Sequence, residues 1–133
     1  MKRVVILGST GSIGRATVEI AAAGSDEIEV VGLAAGRNAE ELAGQLELFP
    51  GAVFTVRDGE VLERMESALG VGGGRCVGTG QEAISSMIGD LAPDLVVNAL
   101  VGISGLMPTV TSLITGCDVA LANKETLVTA GEI

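Results

Sequence analysis

Three glycines recur at every third position in the segment Gly8-Ser9-Thr10-Gly11-Ser12-Ile13-Gly14. Such a segment does its chemistry with main-chain N–H groups. Gly8 and Gly11, lacking side chains, permit a tight turn and close approach to a diphosphate, and Gly14 lets a following helix pack on a sheet. The free amides and partial positive charge of a helix start favour the anion. The alternative is an ordinary glycine-rich turn. Context separates the two, because a phosphate loop must follow a strand and open a helix within a strand-helix-strand unit.

Gly36-Arg37-Asn38 is the second candidate. NAD sites commonly place Asp or Glu at the end of the second strand, accepting a hydrogen bond from the ribose 2′-hydroxyl; this segment offers a cation and an amide but no acid. Arg37 has a fork of donors suited to a 2′-phosphate. One charge-assisted hydrogen bond contributes about 1.5 to 3 kcal/mol, about a 10- to 150-fold preference for NADPH over NADH. As a solvated loop charge Arg37 would confer none. Glu40 and Glu41 follow at once, either blunting that preference or serving the positive end of the next helix.

Asn98-Ala99-Leu100-Val101-Gly102-Ile103-Ser104-Gly105 is either the floor under a nicotinamide or a loop shaped for packing. Asn123-Lys124-Glu125 places Lys124 either in solvent or, beside a phosphate loop, as a substrate or proton-transfer group. The chain has no His and no Tyr. That excludes an imidazole base, a Ser-His-Asp triad and histidine ligation of zinc from these residues, together with the Tyr-Lys pair of many short-chain dehydrogenases. Cys76 and Cys117 stand about 40 residues apart with no CxxC, as expected of reduced core thiols rather than a disulfide framework. Cys117, Met65 and Met87 read as core.

The elements that must position these segments follow from hydrophobic period. Arg3 to Leu7 is a short β-branched and aliphatic run ended by glycine, a strand buried on both faces. Ser12 to Ala23 carries Ile13, Ala16, Ile20 and Ala23 at helical spacing, which predicts a helix with that apolar stripe, stopped at Gly24. Ile28 to Ala35 is the next strand, completing a unit whose two strands run parallel. Ala39–Leu48, Gly59–Leu69, Gln81–Leu91 and Leu106–Ile114 read as helices, with Val61, Leu62, Met65 and Leu69 inward in the second of these. Ala52–Val56, Arg75–Val77, Asp94–Ala99 and Asp118–Ala122 read as strands. Strict alternation predicts an α/β fold with a doubly wound, mostly parallel sheet of Rossmann type.

At 133 residues, with 47% hydrophobic and 19% charged, the chain suits one globular domain. A net charge of −9 argues against nucleic acid as a partner. No apolar run approaches about 18 residues, so no membrane span is expected. Lys2-Arg3 precede an apolar run too short for a signal peptide, and a cytoplasmic protein is expected.

Four segments in order, GSTGSIG at Gly8–Gly14, AAGRN at Ala34–Asn38, NALVGISGLMPT at Asn98–Thr109 and LANKETLV at Leu121–Val128, resemble the amino-terminal domain of the 1-deoxy-D-xylulose 5-phosphate reductoisomerases. The resemblance covers essentially the whole chain. It implies an NADPH- and divalent-cation-dependent enzyme (Mg or Mn) of non-mevalonate isoprenoid synthesis, generally a homodimer, acting on a sugar phosphate. By that likeness Thr10, Gly11, Ser12 and Ile13 hold the diphosphate side, and Gly36, Arg37 and Asn38 the 2′-phosphate. Asn123 and Glu125 line the nicotinamide side, and Lys124 contacts substrate. The family's acidic metal-binding segment, histidine-bearing loop and helical domain lie beyond Ile133, so residues 1–133 are expected to be an NADPH-binding domain that binds coenzyme without turnover by itself. A non-catalytic NADP(H)-binding regulatory module is the alternative, as is a domain of another NADP-dependent reductase such as a semialdehyde dehydrogenase, whose nucleophilic cysteine has no suitable context here.

Overall fold

A computed structural model of the chain describes residues 2–24, 26–68, 75–100, 108 and 116–121. Strands β1 (Lys2–Leu7), β2 (Ile28–Ala34), β3 (Val53–Val56), β4 (Cys76–Thr79), β5 (Leu95–Asn98) and β6 (Asp118–Leu121) form one sheet in the order β4-β3-β2-β1-β5-β6. Every strand pair is parallel. The helices are α1 (Ser12–Ala23), α2 (Ala39–Leu48), α3 (Gly59–Ala68) and α4 (Gly80–Leu91). These bounds meet the expected ones to within two residues wherever the residues are described. The expected helix Leu106–Ile114 lies outside them apart from Pro108, which is helical.

Successive strands step outward from β1 to β4, and the chain then crosses back through α4 to place β5 on the other side of β1. The two faces have separate cores. Val4 and Ile6 of β1 pack with Val18, Leu42, Leu46, Phe54 and Met65, so α1, α2 and α3 cover one face. Val5 and Leu7 pack with Met87, Ile88, Val96 and Cys117 under α4 on the other. Consecutive residues of β1 thus serve opposite cores, which is why this strand reads as an unbroken apolar run. Cys117 and Cys76 are not joined in a disulfide; Cys117 is buried, whereas Cys76 is only half-buried at the edge strand.

One sequence expectation is overturned. The Ile13, Ala16, Ile20, Ala23 stripe faces solvent, with Ile13 51% and Ile20 68% exposed, and Gly14, Val18 and Ala21 face the sheet instead. The cause is local. Gly14 lies against the carbonyl of Gly8, and that contact sets the rotation of α1 about its axis. Val18 and Ala21 then follow inward at four- and seven-residue spacing, and small residues win because the helix sits close to the strands.

Two arginines stitch the ends of helices to the sheet. Arg3 Nη1 donates to the Leu91 and Ala92 carbonyls at 2.6 and 3.4 Å, closing α4 where Ala92 adopts a left-handed φ of 43°. Arg75 Nε donates to Ala52 O at 2.9 Å, and its Nη2 to Phe49 O at 2.8 Å, beyond the end of α2. Each places a cation against carbonyls at or just beyond the negative end of a helix.

Candidate functional site

The point where strand order reverses, between β1 and β5, is where an open parallel sheet leaves a crevice beyond its strand ends. Gly8 stands there at φ +75°, and a side chain at that position would meet Ala99 O at 2.9 Å. The Gly8 and Ser9 amides both donate to Ala34 O, at 2.8 and 3.1 Å, and the Ala99 amide donates to Leu7 O at 2.9 Å. The ends of β1, β2 and β5 are therefore tied together around the glycine segment. Gln45, 4% exposed, adds a tie from α2 by donating Nε2 to Ser9 O at 2.8 Å. Asn98 is fully buried at the end of β5, and its Oδ1 accepts from the Leu100 amide at 3.1 Å.

Gly14 closes the segment from the helix side. A Cβ there would fall 2.0 Å from Gly8 O and 2.7 Å from Ser9 Cα, so α1 can seat on the loop only with glycine at this position. Gly11 is different. It is the N-cap of α1, offers no side chain to cap with, and a Cβ there would meet nothing nearer than Gly8 O at 3.5 Å. No acidic residue lies in the first turn. The start of α1 thus presents amides and positive dipole with neither a side-chain cap nor a carboxylate to offset them, as an anion site requires. Arg15, in the first turn, donates Nε to Thr10 O at 3.0 Å and stands 3.9 Å from a Glu41 oxygen, bracing the loop from outside.

Two crevices open around the loops that follow β2 and β3. One, about 530 Å³, is lined by Ala34, Gly36, Arg57, Gln81, Ile84 and Leu100, among others, across the ends of β2, β3 and β5 and the start of α4. The second, about 500 Å³, is lined by Arg37, Arg57, Asp58, Glu60, Val61 and Arg64. Both lie in the size range of small-ligand sites. The expected residues at Gly8–Gly14 and Gly36–Asn38 lie together beyond the carboxyl ends of the neighbouring strands β1 and β2. Asn123, Lys124 and Glu125 lie outside the described residues, as do Gly102 and Gly105 of the loop after β5.

Asn38 has a use its spacing did not announce. It is the N-cap of α2, with Oδ1 accepting from the Glu41 amide at 3.1 Å. We expect Asn38→Ala to cost about 1 kcal/mol, lowering the melting temperature by about 3 to 5 °C. Asn38→Asp keeps the cap, so its stability should stay close to the parent's; an equal loss in both variants would show that the cap is not what Asn38 supplies.

Glu40 and Glu41 occupy the first turn of α2, and each faces an arginine other than Arg37. Arg64 reaches Glu40 Oε1 through Nη2 at 2.8 Å and Nε at 3.1 Å. A hydrogen bond from its own backbone, then the Arg64 contact, lowers the Glu40 carboxyl below its ordinary 4.5. A carboxyl lowered in the folded state supports the fold above its unfolded pKa and stops doing so as pH falls through the folded value. The Arg64 contact should therefore persist through neutral pH and open only in acid below 4.5, read from the Glu40 carboxyl carbon in an NMR titration. A midpoint at or above that value would contradict the pairing.

Comparison with known proteins fits this geometry. The family model of 1-deoxy-D-xylulose 5-phosphate reductoisomerase matches residues 4–131. The chain belongs to that family. The reductoisomerase of Geotalea uraniireducens is 43% identical over 133 residues, covering 100% of this chain and 34% of the relative. Among solved structures, the reductoisomerase of Zymomonas mobilis in complex with NADPH superposes with a TM-score of 0.86 at 30% identity, over 98% of this chain and 34% of that one. A reductoisomerase in complex with magnesium also gives 0.86, at 28% identity, over 99% of this chain and 33% of that one. The chain thus spans about a third of the length of the relatives it matches. What sequence reasoning missed at the site is Arg57, which lines both crevices; no motif marks it, and only the pairing of β3 with β2 brings it there.

Proposed function

We propose that this chain is the NADPH-binding part of a 1-deoxy-D-xylulose 5-phosphate reductoisomerase. The observation that carries the reading is the start of α1: an uncapped helix end, held over the reversal point of the sheet by glycines that tolerate no side chain at Gly8 and Gly14. In this reading Thr10, Gly11, Ser12 and Ile13 hold the diphosphate side, with the Gly11 amide itself donating to Gly8 O at 3.2 Å. Gly36 and Arg37 take the phosphorylated ribose, with Asn38 shaping that loop as a cap, and the crevice from Gly36 to Leu100 takes the adenosine. Asn123 and Glu125 line the nicotinamide side and Lys124 contacts substrate, by family likeness. The coenzyme supplies hydride; the chain's own residues anchor and orient it and choose between NADPH and NADH.

For the longer protein the reading is conversion of 1-deoxy-D-xylulose 5-phosphate to 2-C-methyl-D-erythritol 4-phosphate, by rearrangement to a branched aldehyde and its reduction. On the family's pattern, the divalent cation of that reaction is expected to take its ligands outside this chain. A homodimer and a cytoplasmic location are further parts of the proposal, resting on the family. Among the described residues no helix is long and apolar enough to cross a membrane.

NADPH emission tests the binding directly, and the chain's lack of Trp and Tyr keeps the background low. Saturable enhancement on titration, with NADH at least about tenfold weaker, is the expected result. No saturation at millimolar coenzyme would overturn the reading.

A further inference from the structure

We infer that Arg57 is a second guanidinium reading the 2′-phosphate, and that Arg37 and Arg57 together set the choice of coenzyme. This rests on the NADPH reading above and adds a residue to it. The chain has only eight Lys and Arg against seventeen Asp and Glu. Most of those cations are committed or remote. Arg3 and Arg75 bind carbonyls at helix ends, Arg15 binds Thr10 O, and Arg64 is held by Glu40. Lys2 begins β1, at the opposite end of the sheet. With Lys124 outside the described residues, Arg37 and Arg57 are the two left among the described ones, and they line the same crevice.

Placement of Arg57 is fixed by the backbone. It follows directly on β3, and its amide donates to Gly36 O at 3.2 Å, extending the β2–β3 ladder into the loop that carries Arg37. Arg57 lines the apolar crevice assigned to adenosine as well as the basic one beside it, so it stands where the two meet. A ribose joining a base in the first crevice would direct its 2′-substituent toward the second. Among the described residues Asp58 is the one carboxylate within 4.0 Å of Arg57, and it is weakly engaged. Asp58 Oδ2 lies 4.0 Å from Nε with both side chains about half exposed, and Asp58 Oδ1 is spent capping α3 through the Glu60 and Val61 amides at 3.1 and 3.2 Å. An exposed pair at that distance holds an arginine only loosely, leaving its donors to a phosphate that accepts two hydrogen bonds at once. Three arginines line this crevice with Asp58 and Glu60, and because Glu40 already engages Arg64, it is Arg37 and Arg57 that offer donors to a ligand there.

The test is Arg57→Gln in the full chain, titrated with NADPH and NADH, and with 2′,5′-ADP and 5′-AMP as probes of the phosphate alone. NADPH and 2′,5′-ADP should each weaken about tenfold while NADH and 5′-AMP change less than about twofold. Arg57→Lys, which keeps the charge and loses the fork, should fall between. Unchanged NADPH affinity, or equal weakening of both coenzymes, would overturn the assignment. Failure of the unsubstituted chain to bind NADPH would instead overturn the reading on which it rests.

Discussion

Gly14→Ala should lose coenzyme binding and melt far below the parent, whereas Gly11→Ala, three residues earlier, should melt normally and still bind poorly. The two glycines differ in what surrounds them. At Gly14 the added methyl would sit 2.0 Å from Gly8 O and 2.8 Å from Gly8 C, atoms of a backbone already fixed by two hydrogen bonds to Ala34 O. Neither partner can yield without breaking the seat of α1, so we expect a loss of about 3 kcal/mol or more, at the upper end for overpacking. That corresponds to about 10 °C or more in melting temperature. Alanine at an open helical position does the opposite: Gly44 and Gly89 have nothing within 4 Å, and alanine at either should gain up to about 1 kcal/mol. At Gly11 the nearest atom is an ordinary 3.5 Å away and the φ of −76° suits alanine, so the fold tolerates the methyl. What it obstructs is the approach of a diphosphate to the amides of α1. A Gly14→Ala chain as stable as the parent would contradict the packing. A Gly11→Ala chain with full NADPH affinity would contradict the anion site.

Arg37→Glu should cost NADPH about 10- to 150-fold in affinity or more, and NADH less than about threefold. The lower bound is the loss of one charge-assisted hydrogen bond, about 1.5 to 3 kcal/mol, and the introduced carboxylate adds repulsion against a dianionic phosphate. The fold has little stake in this side chain. Arg37 is exposed, makes no ion pair among the described residues, and contributes to α2 through its carbonyl, which accepts from the Ala39 amide at 2.9 Å. Stability should therefore be unchanged, and coenzyme titration reads specificity alone. Equal loss for both coenzymes would make Arg37 a structural residue of the loop. Combining Arg37→Glu with Arg57→Gln should cost less than the sum of the two, because both act on one phosphate.

Local sequence was sufficient for the elements and for their parallel arrangement. β1 announces itself as an apolar run because both of its faces are covered, and Glu40 and Glu41 suit the positive start of α2. The glycine segment was legible for a similar reason: the demand for no side chain acts residue by residue, at Gly8 against Ala99 O and at Gly14 against Gly8 O. The rotation of α1 was not legible. Two stripes compete on that helix, and hydrophobicity favours Ile13 and Ile20, but the contact that decides between them is made with the loop before the helix.

Long-range pairing decided the rest. Asn38 could be seen as polar and well placed, yet whether its carbonyl oxygen caps a helix depends on the path of the chain into α2. Arg57 carries no motif, and its approach to Gly36 exists only because β3 lies next to β2 in register. The sequence by itself determined which backbone positions must stay bare and which segments become strands or helices, since those are properties of single residues and short periods. Only the tertiary structure decided which cations share a crevice, because that depends on the order of strands, a property no short stretch of residues contains.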